Sequence, residues 1–80
     1  MTEATLAATI RAAIDRYLLA ERGAVPVYDD DTSLLAIGVD SIAALSIGME
    51  IEERLGVMVS DDLIFNHPTV AALSRVLARR

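Results

Sequence analysis

Apolar residues recur through this chain at the spacing of an amphipathic helix, and this spacing limits its fold more than any other feature. Near the N-terminus, one face of such a helix would carry Leu6, Ile10, Ala13 and Tyr17. The same period returns over residues 41–55 and again towards residue 78. A chain of 80 residues without cysteine must pack such faces into a modest core, since no disulfide can hold it together. We therefore expect an all-α fold.

Glycine residues mark the ends of the first two helices. We predict the first helix over residues 5–22 with Gly23 behind it, and the second over residues 41–55 with Gly56 behind it. Glycine readily takes the left-handed conformation that ends a helix. Between these helices, residues 23–33 contain glycine, proline and three consecutive aspartates, a composition that is typical of a loop.

The remainder of the chain adds a single turn, a short helix and a last helix. Residues 34–37 place two apolar side chains three positions apart, enough for one turn packed on the core. Ser60 is a good N-cap for a short helix, and Pro68 suits the first turn of a last helix that ends near Ala78. This last helix would bury Val70, Leu73 and Leu77. The sequence predicts a single domain over residues 1–80, a small four-helix bundle of three main helices and one short helix with a long first loop.

Acidic residues are concentrated in the middle of the chain. Nine of the 12 acidic residues lie between Asp29 and Asp62, against Arg54 alone, whereas the two ends together carry the other arginines. Such a surface repels nucleic-acid phosphates and speeds encounter with basic protein partners. A soluble domain also needs surface charge for its own sake. The acidic charge therefore argues against nucleic acid as a partner, but it does not identify a protein partner.

No segment of the sequence predicts a membrane or a metal partner. The apolar runs fall well below the ~20 residues that a membrane span needs, and the N-terminus lacks the basic and uninterrupted apolar regions of a signal peptide. A chain without cysteine has no thiolate metal site, and one histidine, His67, with scattered carboxylates is a poor substitute. We expect a cytoplasmic, monomeric protein.

The second predicted helix has two apolar stripes. At about 100° per residue, one stripe contains Ala44, Ile47, Ile51 and Leu55. The other lies roughly opposite and contains Ile42, Leu45 and Met49. A helix in a small bundle buries one stripe, so we expect the shorter one to be exposed beside Glu52 and Glu53, where an apolar patch marks a partner site. The alternative is that the first loop folds back over the shorter stripe.

The stretch GVDSI, residues 38–42, stands where this helix begins. Gly38 can turn the chain, Asp40 is a strong N-cap, and Ser41 takes the first helical position. An anion attached to the Ser41 hydroxyl would meet free backbone N–H groups and the positive end of the helix dipole. Asp-Ser is also ordinary helix-start chemistry, so the pair alone leaves the choice open. A serine hydrolase is disfavoured, because no G-x-S-x-G surrounds Ser41 and His67 is the single histidine.

The order of these features resembles the acyl carrier protein family over nearly the whole chain. The resemblance rests on LLAIGVDSIAALSIGMEIEERLGV followed by FNHPTVAALSRVL. The family pattern is a leucine, a glycine and Asp-Ser-Leu at the start of the second helix, which stands here as Leu34, Gly38, Asp40, Ser41 and Ile42. The resemblance implies that Ser41 carries 4′-phosphopantetheine, transferred from coenzyme A by a phosphopantetheinyl transferase with Mg²⁺. The terminal thiol would hold an acyl or aminoacyl group as a thioester.

The same resemblance implies roles for partners and for the second helix. A loading enzyme would charge the thiol, and a ketosynthase, an acyltransferase or another pathway enzyme would use the thioester. Asp40 would cap the helix beside the attachment site. The docking face for these enzymes would consist of Ile42, Leu45, Met49, Glu52 and Glu53. The carrier itself would not be an enzyme.

Several positions depart from the pattern of fatty-acid carriers. Ser46 stands where those carriers have a docking glutamate, and FNHPT is similar to polyketide-type carriers. Peptidyl carriers often show Gly-Gly before a His-Ser or Asp-Ser pair. Here Asp40 and Ser41 form that pair, and Val39 stands at the position of the second glycine. We therefore expect a carrier of polyketide or hybrid secondary-metabolite biosynthesis. The alternatives are a peptidyl or aminoacyl carrier of a nonribosomal-peptide or amino-acyl pathway, and a non-carrier acidic helical interaction module.

Overall fold

A computed structural model describes residues 2–79 of the chain. Its helices follow in the order α1 (Glu3–Arg22), a one-turn 3₁₀ helix (Leu34–Ile37), α2 (Ser41–Leu55), α3 (Asp61–Asn66) and α4 (Val70–Ala78). Helix α1 packs against both α2 and α4, and α2 also packs against α3. The prediction of an all-α four-helix bundle with a long first loop is confirmed.

Each α-helix begins at a side chain that caps its first turn. The caps accept a hydrogen bond from the backbone N–H three residues further on, and they are Thr2, Asp40, Ser60 and Thr69. Two boundaries differ from the prediction. Helix α1 begins at Glu3, two residues early, because Thr2 caps it. Helix α4 begins at Val70 and leaves Pro68 outside, because Thr69 is still extended and acts as its cap.

The core draws apolar side chains from every helix and from the segments between them. On α1 the buried face is wider than predicted, since Ile14 and Leu18 are also buried while Tyr17 is only partly buried. This helix packs on two neighbours and presents side chains to both. The buried set is Leu6, Ile10, Ala13, Ile14, Leu18, Leu34, Val39, Ala43, Ala44, Ile47, Ile51, Val59, Ile64, Val70, Leu73 and Leu77.

The first loop is held against α1 by four side chains that we call the loop clasp: Arg11, Asp15, Tyr28 and Asp30. Arg11 donates to the Asp30 carboxylate at 2.8 Å, and its guanidinium carbon lies 4.5 Å from the centroid of the Tyr28 ring. The Tyr28 hydroxyl donates to the Asp15 carboxylate. Burial raises the pKa of Tyr28, and so do the hydrogen bond to Asp15 and the charge of that carboxylate. The Asp30 carbonyl also accepts from Ala71 N at 2.9 Å, so one loop residue joins α1 to α4.

Candidate functional site

Ser41 is the first residue of α2, and it is exposed. The chain reaches it through Gly38, whose φ of 94° lies in the left-handed region that glycine takes without strain. Val39 anchors this turn, because it is 2% exposed and its N–H donates to a carbonyl of the 3₁₀ helix at 3.0 Å. Asp40 follows in an extended conformation and accepts from Ala43 N at 2.9 Å. The turn therefore fixes where the Ser41 hydroxyl emerges.

The first turn of α2 can accept an anion on Ser41. The N–H groups in the first turn of a helix have no hydrogen-bond acceptor within the helix. In α2 one of them, that of Ala43, donates to the Asp40 carboxylate. Aligned peptide dipoles add partial positive charge at the same end. A phosphate ester on the hydroxyl would lie in solvent beside these donors and would displace no packed side chain. The residues present therefore fit a group linked through a phosphodiester, as 4′-phosphopantetheine is.

Arg22 ties the end of α1 to the turn before Ser41. Its Nη2 donates to the Gly38 carbonyl at 2.8 Å. The guanidinium also packs on the glycine itself, because a Cβ built at Gly38 would lie 2.3 Å from Arg22 Nη1. No sequence pattern predicted this contact. A glycine and an arginine 16 positions apart occur in many sequences, so their contact could not be predicted before the fold was known.

The shorter apolar stripe of α2 lies on the surface, as the helical period predicts. Ile42 is 72% exposed, Leu45 is 54% exposed and Met49 is 55% exposed. The opposite side of α2 lies in the core and consists of Ala43, Ala44, Ile47, Gly48 and Ile51, with Leu55 partly buried. The alternative in which the first loop covers the stripe is wrong, because that loop lies against α1. The partner-binding role of the stripe stays a prediction.

The acidic residues of α2 differ in how they are held. The Glu52 carboxylate accepts from Val59 N at 2.7 Å and so fastens the segment before α3. Glu50 lies 3.6 Å from Arg16 Nε and 3.2 Å from Arg54 Nε. Glu53 is exposed. The role of Glu52 and Glu53 as partner-binding acids stays a prediction, and Glu50 was missed because no local pattern marks a contact with α1.

His67 and the acidic side chains do not form a metal centre within residues 2–79. His67 is partly buried and ends α3, where its N–H donates to the Leu63 carbonyl at 3.1 Å. In this part of the chain, no three His, Cys, Asp or Glu side chains are grouped as metal ligands. Over the same residues, no helix combines the length and the apolar character needed to cross a bilayer.

Known proteins that resemble this chain include polyketide synthases. A family described as "Phosphopantetheine attachment site" matches residues 8–77. A phenolphthiocerol/phthiocerol polyketide synthase of Mycobacterium tuberculosis is 38% identical over 52 residues, which are 65% of this chain and 3% of that protein. The non-reducing polyketide synthase VdtA of Byssochlamys spectabilis is 38% identical over 60 residues, 72% of this chain and 3% of that protein. This chain thus corresponds to a small part of each synthase.

A solved structure resembles the chain over most of its length. It is a free-standing peptidyl carrier protein from a secondary metabolic pathway of Acinetobacter baumannii. The two share a TM-score of 0.82 and 27% sequence identity, over 96% of this chain and 92% of that one. The fold, the exposed serine at the start of α2 and the family match over residues 8–77 agree. The chain therefore belongs to the phosphopantetheine attachment family, that of the acyl and peptidyl carrier proteins.

Proposed function

We propose that this chain is a carrier protein that holds acyl intermediates as thioesters on 4′-phosphopantetheine attached to Ser41. The observation that carries the proposal is the exposed position of Ser41 at the first turn of α2, inside the segment that the family matches. Domains of this family carry the group covalently. Its terminal thiol supplies the thioester chemistry that a chain without cysteine lacks. The chain presents the group to other enzymes and catalyses no step itself.

Attachment requires a nucleophile that can reach coenzyme A on a transferase. In the transfer, a bond forms between Ser41 Oγ and the phosphorus that bears the pantetheine arm, and the bond from that phosphorus to the adenosine bisphosphate breaks. The hydroxyl proton would pass to a base of the transferase, and Mg²⁺ bound there would offset the negative charge of the departing phosphates. The part of this chain is to hold the hydroxyl in the open and to place N–H donors of α2 beside the new phosphodiester.

The proposed partners meet the carrier on the exposed stripe of α2, formed by Ile42, Leu45 and Met49. They are the phosphopantetheinyl transferase, a loading enzyme, and a ketosynthase, an acyltransferase or another enzyme that uses the thioester. The stripe is apolar and exposed, and its first residue follows Ser41 directly, so an enzyme that reaches the serine also meets the stripe. Because attachment uses coenzyme A, we place the protein in the cytoplasm.

The cargo that we propose is an acyl intermediate of polyketide or hybrid biosynthesis. The similarity to two polyketide synthases supports this choice. The second candidate is an aminoacyl cargo, which the likeness to a peptidyl carrier protein supports. The match to the phosphopantetheine attachment family over residues 8–77 argues against a non-carrier interaction module.

The carrier proposal is tested by the mass of the intact protein after reaction. The unmodified protein is incubated with coenzyme A, Mg²⁺ and a transferase of broad specificity. We expect a gain of one phosphopantetheine group in the wild type and none in Ser41→Ala. A matched control, Ser46→Ala, removes the neighbouring exposed serine of the same helix and should gain the group like the wild type. Absence of the gain in the wild type, or its survival in Ser41→Ala, would refute attachment at Ser41.

The two cargo candidates are separated by the loading reaction. The modified protein is incubated with an acyltransferase or with an adenylating, amino-acid-activating enzyme, and the added mass is measured. An acyl thioester formed with the first enzyme supports the polyketide assignment. Loading by the second enzyme alone would favour the peptidyl carrier instead.

A further inference from the structure

Arg22, the last residue of α1, brings a positive charge to the turn before Ser41. Its Nη2 donates to the Gly38 carbonyl at 2.8 Å, and its Nη1 lies against Gly38 itself. Gly38 precedes Ser41 by three residues, which span at most about 11 Å of extended chain. The guanidinium therefore lies near any group that the Ser41 hydroxyl carries.

The direction of the two helices also places Arg22 at the Ser41 end of α2. Nearer the middle of both helices, Arg16 Nε lies 3.6 Å from Glu50. From Arg16 to Arg22 the chain advances six residues along α1, or about 9 Å. From Glu50 back to Ser41 it covers nine residues of α2, or about 14 Å. Since Arg22 contacts Gly38, α1 and α2 run in opposite directions, and the last turn of α1 lies beside the first turn of α2.

Arg22 keeps its charge and most of its hydrogen-bond donors available. The ion pairs within residues 2–79 involve Arg11, Arg16 and Arg54, so no carboxylate of this part of the chain neutralises Arg22. The bond to the Gly38 carbonyl uses only one of the N–H donors of a guanidinium, and the residue is exposed. A guanidinium is suited to phosphate oxygens, because its planar fork can donate two hydrogen bonds to them. Arg22 can therefore receive an anion without giving up an existing ion pair.

A phosphodiester on Ser41 would enter a negatively charged neighbourhood. The Asp40 carboxylate is held at the start of α2 by its bond from Ala43 N at 2.9 Å. Residues 29–62 carry nine acids against Arg54 alone. One more negative charge beside Asp40 is repelled by it, and a nearby positive charge offsets such repulsion. Arg22 supplies that charge from outside the acidic segment.

We propose that Arg22 is the counter-ion of the phosphodiester that joins phosphopantetheine to Ser41. The inference rests on the proposed carrier function and assigns it a further residue. Before attachment, Arg22 braces the turn through the Gly38 carbonyl. After attachment, the same guanidinium also pairs with the new anion. The brace is present in both forms of the protein, whereas the charge pairing exists only in the modified form, so a comparison of the two forms separates these roles.

The experiment unfolds the wild type and Arg22→Gln in urea, each before and after modification that intact mass confirms. Glutamine keeps an N–H donor for the Gly38 carbonyl but carries no charge. In about 0.01 M salt, we expect modification to lower the folding equilibrium constant of Arg22→Gln about two- to fivefold relative to its effect on the wild type, as for an exposed ion pair. In about 1 M salt this difference should disappear, because the screening length falls from about 30 Å to about 3 Å. A brace alone would make the unmodified and modified forms of Arg22→Gln lose stability equally.

Two further variants control for charge. Arg75→Gln removes the same charge from α4, where Arg75 lines a groove with Glu3. Glu3 lies 19 residues before Arg22, or about 28 Å away along α1, so modification should affect Arg75→Gln as it affects the wild type. Arg22→Lys keeps the charge without the planar fork, and its response to modification should be closer to that of the wild type than to that of Arg22→Gln.

A nuclear magnetic resonance measurement on the wild type needs no variant. We expect the side-chain Nε–H signal of Arg22 to shift on modification and to return towards its first position in about 1 M salt, while that of Arg75 stays in place. The proposal is overturned if modification changes the stability of Arg22→Gln and of the wild type equally, or if the Arg22 signal does not shift. Failure of the wild type to gain the group would refute the carrier function itself, whereas a group gained without these responses refutes only the role of Arg22.

Discussion

At the residue scale, three adjacent positions bring a hydroxyl to the surface at the start of α2. Gly38 takes a left-handed conformation, the Val39 side chain is buried in the core, and Asp40 caps the helix. The geometry that suits Ser41 to attachment is therefore also the geometry that starts the helix. Capping and attachment can be separated by experiment, because the cap belongs to Asp40 and the hydroxyl to Ser41.

Asp40→Ala removes the carboxylate that accepts from Ala43 N. We expect the free energy of unfolding to fall by about 1 kcal/mol, the usual value of an N-cap. The measurement is urea denaturation followed by circular dichroism. Asp40→Asn is the control, because an asparagine oxygen caps almost as well. Equal stability of the alanine and asparagine variants would show that the cap does not stabilise α2.

Substitution of Gly48 tests whether α2 and the segment before α3 approach each other closely inside the bundle. An alanine in a helix is normally about 1 kcal/mol more favourable than a glycine. Here a Cβ would lie 3.0 Å from the Val59 carbonyl oxygen, and Val59 is buried and fastened to Glu52. We therefore expect Gly48→Ala to lower the melting temperature, whereas Ser46→Ala on the exposed side of the same helix should not. A stabilised Gly48→Ala would mean that the segment before α3 can move away.

At the element scale, α2 is the helix whose two sides do different things. One side packs against α1 and α3, and the other carries the exposed stripe. To bury both sides of α2, other helices would have to pack against each side, and a domain of 80 residues is too small to supply them. Packing therefore constrains the buried side of α2, whereas the exposed stripe is free of that constraint.

Paired substitutions on the two sides of α2 separate these roles. Ile51→Ala empties a site in the core and should cost about 2–5 kcal/mol in the free energy of unfolding, enough to threaten a domain this small. Leu45→Arg and Met49→Arg should leave folding intact, because both side chains already face solvent, while slowing modification by the transferase. Thermal denaturation and intact mass measure the two effects. A large loss of thermal stability in Leu45→Arg would place the stripe in the core.

At the scale of the whole molecule, the loop clasp joins the long first loop to α1 and, through the Asp30 carbonyl, to α4. The same loop leads into the 3₁₀ helix, whose Leu34 N donates to the Pro68 carbonyl at 2.8 Å. The segment before Ser41 is thereby held at several points. Tyr28 is the titratable group whose ionisation would break the clasp.

Alkaline pH should weaken the fold through Tyr28. Its pKa is raised in the folded protein, so its contribution to stability is full below the unfolded tyrosine pKa of about 10 and is lost as pH rises above it. We expect the free energy of unfolding to decline above about pH 10, and less steeply in Tyr28→Phe. Tyr17→Phe, which lies on α1 outside the clasp, controls for the loss of a tyrosine hydroxyl as such. Equal slopes in Tyr28→Phe and the wild type would show that the clasp does not depend on this hydroxyl.

The features that could be predicted from the sequence are those that depend on residues close to one another along the chain. The period of α2, its glycine end and the exposure of its shorter stripe follow from residues within a turn or two of one another. The contacts Arg11–Asp30, Arg22–Gly38 and Glu52–Val59 join residues 19, 16 and 7 positions apart. No local pattern encodes them, because each depends on how the helices pack. The start of α4 was misplaced because Thr69, a cap, follows Pro68 directly.

The most direct test of the carrier assignment is the position of the added group within the modified protein. Trypsin cleaves after arginine, so digestion releases residues 23–54 as one peptide that contains Ser33, Ser41 and Ser46. Fragmentation of this peptide in a mass spectrometer assigns the adduct to one of them. We predict phosphopantetheine on Ser41 alone. An adduct on Ser33 or Ser46, or none in this peptide, would contradict the assignment.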